Sequence, residues 1–297
     1  KINCEIIKNL NGSKKRRFAR TFLVHNHISN KHNVLKVADG EQIVYLQREK
    51  EFHFTNPQLP QVLNFVQDDH QAQLLLDHKE GVPIITHFNT LKKKERIQFV
   101  ANFVTQLTRL LGEINDLSVV HLDIKPSNII YNPETDLFAL IDFGMGQKLP
   151  MKREKLIFPL GYAAPELILN KSDLVGLGTD LYSLGATLFH LWTGGIAHTH
   201  ANPSIMTNLQ IAYPLERPSK MPLALFKIID GMMVKPKWPA IPTRLEDEIV
   251  EKLLIDSIKK REESLHSLQN HLDELLSTKR PNLLVKLFSK SNIKIEK

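Results

Sequence analysis

His121-Leu122-Asp123-Ile124-Lys125-Pro126-Ser127-Asn128 leads into the apolar run Ile129-Ile130-Tyr131, and Asp136-Leu-Phe-Ala-Leu-Ile-Asp142-Phe143-Gly144 follows. Two carboxylates, Asp123 and Asp142, and one carboxamide, Asn128, each stand beside a strand-like stretch. They are hard oxygen donors, and magnesium is satisfied by a few of these with water completing its shell. Phosphoryl transfer asks little covalent chemistry of a protein. It needs a metal bridging the phosphates, a cation against them and a carboxylate to orient the nucleophile. Asp123, Lys125, Asn128, Asp142 and, far upstream, Lys36 are the residue types for those tasks.

Downstream and upstream of this stretch the chain has two different characters. Over 91–111 the apolar residues Ile97, Val100, Phe103, Val104, Leu107, Leu110 and Leu111 recur at helical spacing, and further helices are predicted over 178–193, 221–234, 245–256 and 262–277. Residues 1–78 read as short strands with one helix. A strand over 18–24 and a polar loop over 25–33 look like a hairpin, and the strand 33–38 contains Lys36. A helix is predicted over 41–53, ended by Asn56-Pro57, and two more strands over 62–66 and 73–76 flank the polar turn 67–70. The expected class is α+β, with a small strand-rich front, a larger helical back and a seam near 77–81.

Composition sets bounds on this reading. The 297 residues, 42% hydrophobic and 24% charged, are the mix of a globular protein with material for a core. No apolar run reaches the roughly 20 residues a membrane span needs, and the first residues, Lys1 to Lys8, lack the apolar core of a signal peptide. The single cysteine, Cys4, precludes an intrachain disulfide. The net charge of +7 gathers at Lys14 to Arg17 with Arg20, at Lys92 to Lys94 and over 279–297. No aromatic-interleaved basic motif accompanies it, so no specific nucleic-acid partner is predicted and solvated faces are expected. The thirteen histidines show no metal-ligand spacing, and His198 and His200 read as a polar loop. Trp192, Trp238 and the aromatics of 99–103 are assigned to the core.

Taken in order, these motifs resemble the eukaryotic-type protein kinase family, and within it the divergent bacterial eukaryotic-like or effector-type Ser/Thr kinases. The resemblance spans about residues 5 to 275. It implies a bilobal fold with an N-lobe over 1–78, a C-lobe over 79–278 and a basic C-terminal tail over 279–297. It implies ATP and Mg²⁺ (or Mn²⁺) as cofactors, a protein substrate, and a cytoplasmic location or delivery into a host cell. In Asn33-Val-Leu-Lys36 it makes Lys36 the partner of the α and β phosphates. It makes Glu49 of Leu46-Gln-Arg-Glu49 the partner of that lysine, with Glu51 a close competitor. Val34 and Ile130 would sandwich the adenine ring, the backbone of Asp77 and Lys79 would meet its edge beside Leu76 as gatekeeper, and Gly12 would belong to the loop over the phosphates. Asp123 would accept or orient the substrate proton and Lys125 would sit on the γ-phosphate. Asn128 and Asp142 would hold the metal. Asp180 would brace the catalytic loop, and Arg261 would pair with Glu166 at the end of the activation segment.

The chain also departs from the family pattern. The region 11–20, where the family carries several glycines over the phosphates, has only Gly12. Leu122 replaces the arginine that grips an activation-segment phosphate. The segment 142–166 contains no serine or threonine, and Tyr162 is its only hydroxyl. These two departures agree physically, because a chain without the phosphate receiver has no phosphoserine or phosphothreonine there to receive. An enzyme independent of Ser/Thr phosphorylation in that segment is expected. Pro159 stands where Ser/Thr kinases usually carry threonine, whereas Lys125-Pro126 is of the Ser/Thr type. Two alternatives stay open: a pseudokinase scaffold that binds nucleotide or a partner without transfer, and a small-metabolite phosphotransferase or nucleotidyl transferase. Ala164-Pro-Glu166 and Asp180 to Gly185, which build a protein-substrate platform in the family, weigh against the latter. Nothing in the sequence specifies an oligomeric state.

Overall fold

The computed structural model describes residues 2–11, 19–151 and 157–277. Among them, five strands form one antiparallel sheet: β1 (Glu5–Asn9), β2 (Arg20–Asn26), β3 (Lys31–Asp39), β4 (Val62–Gln67) and β5 (Gln71–Asp77), in the order β1-β2-β3-β5-β4. Successive side chains on β3 point to opposite faces. Leu35 and Val37 join Ile2, Val24 and Leu75 on one face. Val34 packs on the other, against the cluster around Leu46, Leu74 and Leu76. The same alternation places Lys36 on that second face, which is covered by the helix α1 (Ile43–Glu49).

The chain leaves β5 through 77–81, where the sequence placed the seam, and enters the helical lobe. There lie β6 (Val82–Pro83), α2 (Ile84–Thr90), α3 (Lys93–Asp116), β7 (Val119–Val120), β8 (Ile129–Asn132), β9 (Leu137–Leu140), β10 (Gln147–Lys148), α4 (Pro165–Ile168), α5 (Leu177–Thr193), α6 (Pro203–Ala212), α7 (Leu223–Met232), α8 (Asp247–Glu263) and α9 (Leu268–Ser277). The apolar stripe of α3 is buried from Ile97 to Ile114. α5 is buried on nearly all sides, as a helix apolar all round must be. With α7 and α9 they make the large core, and Phe99, Phe103 and Phe138 lie inside it. The architecture is the expected α+β arrangement of a strand-rich N-terminal part and a helical C-terminal part. No helix among the described residues is long and apolar enough to cross a membrane.

Several local expectations are corrected. The helix expected over 41–53 shrinks to α1 behind a 3-10 turn at Gly40–Gln42, because Phe52 leaves the helical path to pack on Phe54 and Phe143. The helix expected to end at 256 continues to Glu263, carrying Arg261 into the interior. That expected from 262 begins at Leu268 after a 3-10 turn. Trp238 is half-buried rather than a core residue and donates to Ile211 O at 3.1 Å. His198 lies in a loop as expected, but is buried there with Lys235 Nζ at 2.7 Å. β1 and α6 were not foreseen. β1 is exposed along its whole length, so no alternation marks it. α6 did carry a start signal: Asn202 caps the N–H groups of Ser204 and Ile205, and Pro203 takes the first helical position.

Candidate active site

β3 brings Lys36 beneath the sheet and the last turn of α1 brings Glu49 to meet it. Lys36 Nζ lies 2.6 and 2.7 Å from the two Glu49 oxygens and 2.7 Å from Asp142 Oδ1. Glu49 Oε1 also accepts the Phe143 N–H at 3.2 Å. Glu51, the competitor on sequence, faces Lys50 at 3.6 Å near the surface. Burial by itself would lower the Lys36 pKa, but the Asp142 and Glu49 carboxylates outweigh it and the net shift is upward, so the ammonium is kept. The ammonium of Lys36 is thus held between the Glu49 and Asp142 carboxylates.

Asp142 reaches this position through a left-handed backbone, φ 69°. The following Phe143 fixes it. Its ring is 1% exposed and packs on His121 at 4.4 Å and Phe54 at 4.7 Å between centroids. His121 links the two acidic segments. Its Nδ1 accepts the Asp123 N–H at 3.2 Å and its Nε2 donates to Ile141 O at 3.1 Å. Burial pushes its pKa down to about 4, which keeps the ring neutral and suits this one-donor, one-acceptor role.

Asp180, in the first turn of α5, accepts the N–H groups of His121 at 2.7 Å and Leu122 at 3.0 Å. Burial raises its carboxyl to about 6, against the pull of those two bonds. Thr187 Oγ1, two turns further along α5, donates to Ile124 O at 3.2 Å. The catalytic loop is thereby tied to a buried helix at several points. On that loop, Lys125 Nζ lies 2.7 Å from both Asp123 oxygens, and Asn128 Nδ2 donates to Asp123 Oδ2 at 2.8 Å and to its carbonyl at 2.9 Å. Burial raises the Asp123 carboxyl despite the opposing Lys125 charge, which moves it toward a proton acceptor.

The seam residues are arranged as a rigid strap. Asp77 exchanges backbone and side-chain bonds with Gln61, and Lys79 Nζ turns back onto Asp77 Oδ2 and Pro57 O, both at 2.6 Å. Val34 and Ile130 are both half-buried. Elsewhere, Glu166 and Arg261 form a fully buried ion pair, also bonded by Thr179 Oγ1 at 2.9 Å. The activation segment is joined to the catalytic loop by the β7–β10 pair, and Leu122 lies in an apolar cluster with Val120, Met151 and Ala163. Tyr162 donates to His190 Nδ1 at 2.6 Å, and burial with the Asp123 charge raises its hydroxyl to about 12.

Lys36, Glu49 and Asp142 therefore meet, as do Asp123, Lys125 and Asn128. Gly12, the basic cluster of 14–17 and the tail over 279–297 lie outside the described residues. Thr179, Thr187 and His190 were missed on sequence, because nothing in their local pattern announces partners that only the tertiary fold supplies. No group of three or more His, Cys, Asp or Glu side chains among the described residues forms a metal cage. The Asp142 carboxylate and the Asn128 carboxamide are hard oxygen donors of the kind that fits magnesium, which takes one or two protein oxygens and keeps phosphate and water as its other ligands.

Comparison with known proteins agrees with this geometry. The family model described as protein kinase domain matches residues 9–272. Citron rho-interacting kinase of Rattus norvegicus is 24% identical over 163 residues, and its Mus musculus counterpart is likewise 24% identical over 163 residues. The match covers 52% of this chain and 8% of the length of each relative. The span of the family model, residues 9–272, takes in both acidic segments, the Lys36–Glu49 pair and the Glu166–Arg261 pair, and the chain belongs to the protein kinase domain family.

Proposed function

We propose that the chain is an ATP-dependent protein kinase that transfers the γ-phosphate to serine or threonine of a protein, without requiring Ser/Thr phosphorylation of its own activation segment. The observation that carries this reading is the convergence of Lys36, Glu49 and Asp142 at 2.6–2.7 Å, with Asp123, Lys125 and Asn128 gathered on the adjoining loop. Lys36, oriented by Glu49, holds the α and β phosphates. Asn128 and Asp142 would hold a divalent ion, which would supply positive charge against the charge that develops on the phosphates. Asp123 orients the acceptor hydroxyl and takes its proton at a carboxylate oxygen, and Lys125 neutralises the transferring group. His121, neutral and bonded at both nitrogens, fixes the distance between the two acidic segments. Ser/Thr specificity is supported by Lys125-Pro126.

The deciding experiment is a transfer assay with γ-labelled ATP and Mg²⁺ on a panel of acceptor proteins, wild type against Asp123→Asn, with mass analysis of the product. Label on serine or threonine that Asp123→Asn abolishes is the expected result. Nucleotide binding without transfer would establish the scaffold instead. Transfer of a nucleotide or labelling of a small molecule would establish the third reading.

A further inference from the structure

Leu122 holds a backbone conformation that its side chain does not favour. Its φ is 61°, in the left-handed region where asparagine and glycine sit readily and leucine rarely does. The backbone there is pinned by the Leu122 N–H to Asp180 Oδ1 bond at 3.0 Å. The side chain is 3% exposed and packs in one cluster with Met151 and Ala163, with Leu149 and Phe158 half-buried against it. Leu149 and Met151 come from the first part of the segment 142–166, and Phe158 and Ala163 from its last part. A single side chain of the catalytic loop thus touches the cluster that joins both parts.

Other bonds hold the last part from the helical side. Gly161 N–H donates to Gln210 Oε1 at 3.2 Å and Ser183 Oγ donates to Tyr162 O at 2.9 Å. None of them joins it to the catalytic loop. The apolar cluster does, and it contains no group that a phosphate could modify or pair with. A phosphate clamp is made and unmade by transfer and hydrolysis. An apolar contact stays closed as long as the surfaces fit.

We infer that Leu122 is a positioning residue, an apolar plug that seats the stretches 149–151 and 158–163 on the catalytic loop and keeps the acceptor platform around 158–163 assembled without a phosphate. This rests on the proposed kinase reading for what the platform admits, but the seating itself is a property of the fold. The plug governs access of the protein acceptor and leaves the nucleotide site, built on Lys36, Glu49 and Asp142, unaffected.

The test is amide hydrogen exchange on the full chain, comparing wild type with Leu122→Asn, Leu122→Met and Met151→Thr. Asparagine accepts the left-handed backbone but abandons the apolar contact, whereas methionine keeps the contact. Leu122→Asn is expected to speed exchange at the amides of Gly161 and Tyr162 by about tenfold or more, since a lost apolar burial appears directly in the opening equilibrium. Leu122→Met should stay within about threefold of wild type, as volume-conserving apolar swaps do. Met151→Thr should reproduce the effect of asparagine from the other side of the contact. The thermal shift given by Mg·ATP should be the same in all of them. Where transfer is measurable, Leu122→Asn should raise KM for the protein acceptor and leave KM for ATP unchanged. Unchanged exchange at 161–162 in Leu122→Asn, or equal acceleration in Leu122→Met, would overturn the inference. General acceleration across α5 in Leu122→Asn would mean global destabilisation, and Met151→Thr then decides. The exchange readout stands even if the chain transfers no phosphate, so failure of the plug and failure of the kinase reading are told apart.

Discussion

Arg261 and Glu166, 95 residues apart, face each other with Nη1 2.7 Å from Oε1 and Nη2 3.0 Å from Oε2, and neither side chain is exposed. The remaining guanidinium donors are used as well, Nε on Val234 O at 2.9 Å and Nη1 also on Gly178 O at 3.0 Å. The pair ties the end of the activation segment to α8, with Thr179 of α5 beside it, so its value lies in geometry as well as energy. Arg261→Met leaves a buried carboxylate without its partner and is expected to destabilise the fold by about 3–5 kcal/mol. Arg261→Lys keeps the charge but loses the planar fork, and falls short of wild type for that reason. Removing the exposed Lys260–Asp256 pair on the same helix should cost less than about 1 kcal/mol. Urea unfolding of the three variants checks the order.

Lys36 stands between two carboxylates that would otherwise repel. Lys36→Met should therefore splay Glu49 and Asp142 and lower the transfer rate by about 10²–10³-fold, the usual loss for one electrostatic contributor. Asp142→Ala removes the proposed metal oxygen and leaves the Lys36–Glu49 pair in place. It is expected to retain weak nucleotide binding that no longer responds to Mg²⁺. Thermal shift with ATP, with and without Mg²⁺, separates the two cases. A Mg²⁺-dependent shift in Asp142→Ala equal to that of wild type would remove Asp142 from the metal site.

His121 gives the stability a sign with pH. Its folded value, about 4, lies below that of a free imidazole, about 6.5. Between those values the unfolded chain binds a proton that the folded chain refuses. The contribution is therefore fully present above pH ~6.5 and is lost as pH falls toward 4. His198, also pushed down to about 4 by burial and by Lys235, acts in the same direction. Asp180, raised to about 6, acts oppositely, and its contribution is lost as pH rises through that value. In His121→Gln the acid slope of the unfolding free energy near pH 5 should flatten by about 1.4 kcal/mol per pH unit, one proton's worth. Denaturant titrations between pH 4.5 and 7 measure it, and an unchanged slope would show that the buried ring does titrate.

The catalytic loop and Asp142 were legible in the sequence because each motif is contiguous and its chemistry lies in residue type. The choice between Glu49 and Glu51 was less so. Two residues apart on a helix, they point in different directions, and only the docking of α1 on β3 decides which one meets Lys36. β1 left no trace because strand pairing alone holds it, with every residue exposed. The Tyr162–His190 contact joins positions 28 apart through tertiary packing alone, and neither local pattern implies the other. Asp180 was readable as a brace only through the family resemblance. Its physical reason, two backbone N–H groups of the loop, became visible in the structure.

The segment 142–166 offers no serine or threonine, and an apolar cluster stands where a phosphate receiver would be. Phosphatase treatment of active enzyme is therefore expected to leave its transfer rate unchanged, and phosphosite mapping should find no site between 145 and 163 whose loss lowers activity. Inactivation on dephosphorylating Tyr162, the one hydroxyl of the segment, would refute this. That residue's hydroxyl is already engaged with His190, so a phosphate there would have to break the 2.6 Å bond.

Gly81 and Gly112 should respond to alanine with opposite signs. At Gly81 the backbone has φ +133°, and an added Cβ would lie 2.3 Å from Tyr131 O, 2.7 Å from Tyr131 C and 3.0 Å from Ile130 Cγ2. The nearest obstacle is backbone, which cannot rotate aside. The next two residues pair directly with β8, Val82 with Tyr131 and Pro83 with Ile130. Relief of the clash must move β6 off β8, and with it Ile130, the proposed floor of the adenine site. Gly81→Ala is expected to cost more than about 2 kcal/mol, in the range of overpacked or strained positions, and to weaken nucleotide binding together with stability. Gly112 lies within α3 with nothing within 4 Å of a built Cβ. Gly112→Ala should instead stabilise by about 0.8–1 kcal/mol through the helix preference of alanine, with nucleotide binding unchanged. Melting curves with and without Mg·ATP test both, and a neutral Gly81→Ala would show that the seam gives way where the strand pairing says it is fixed.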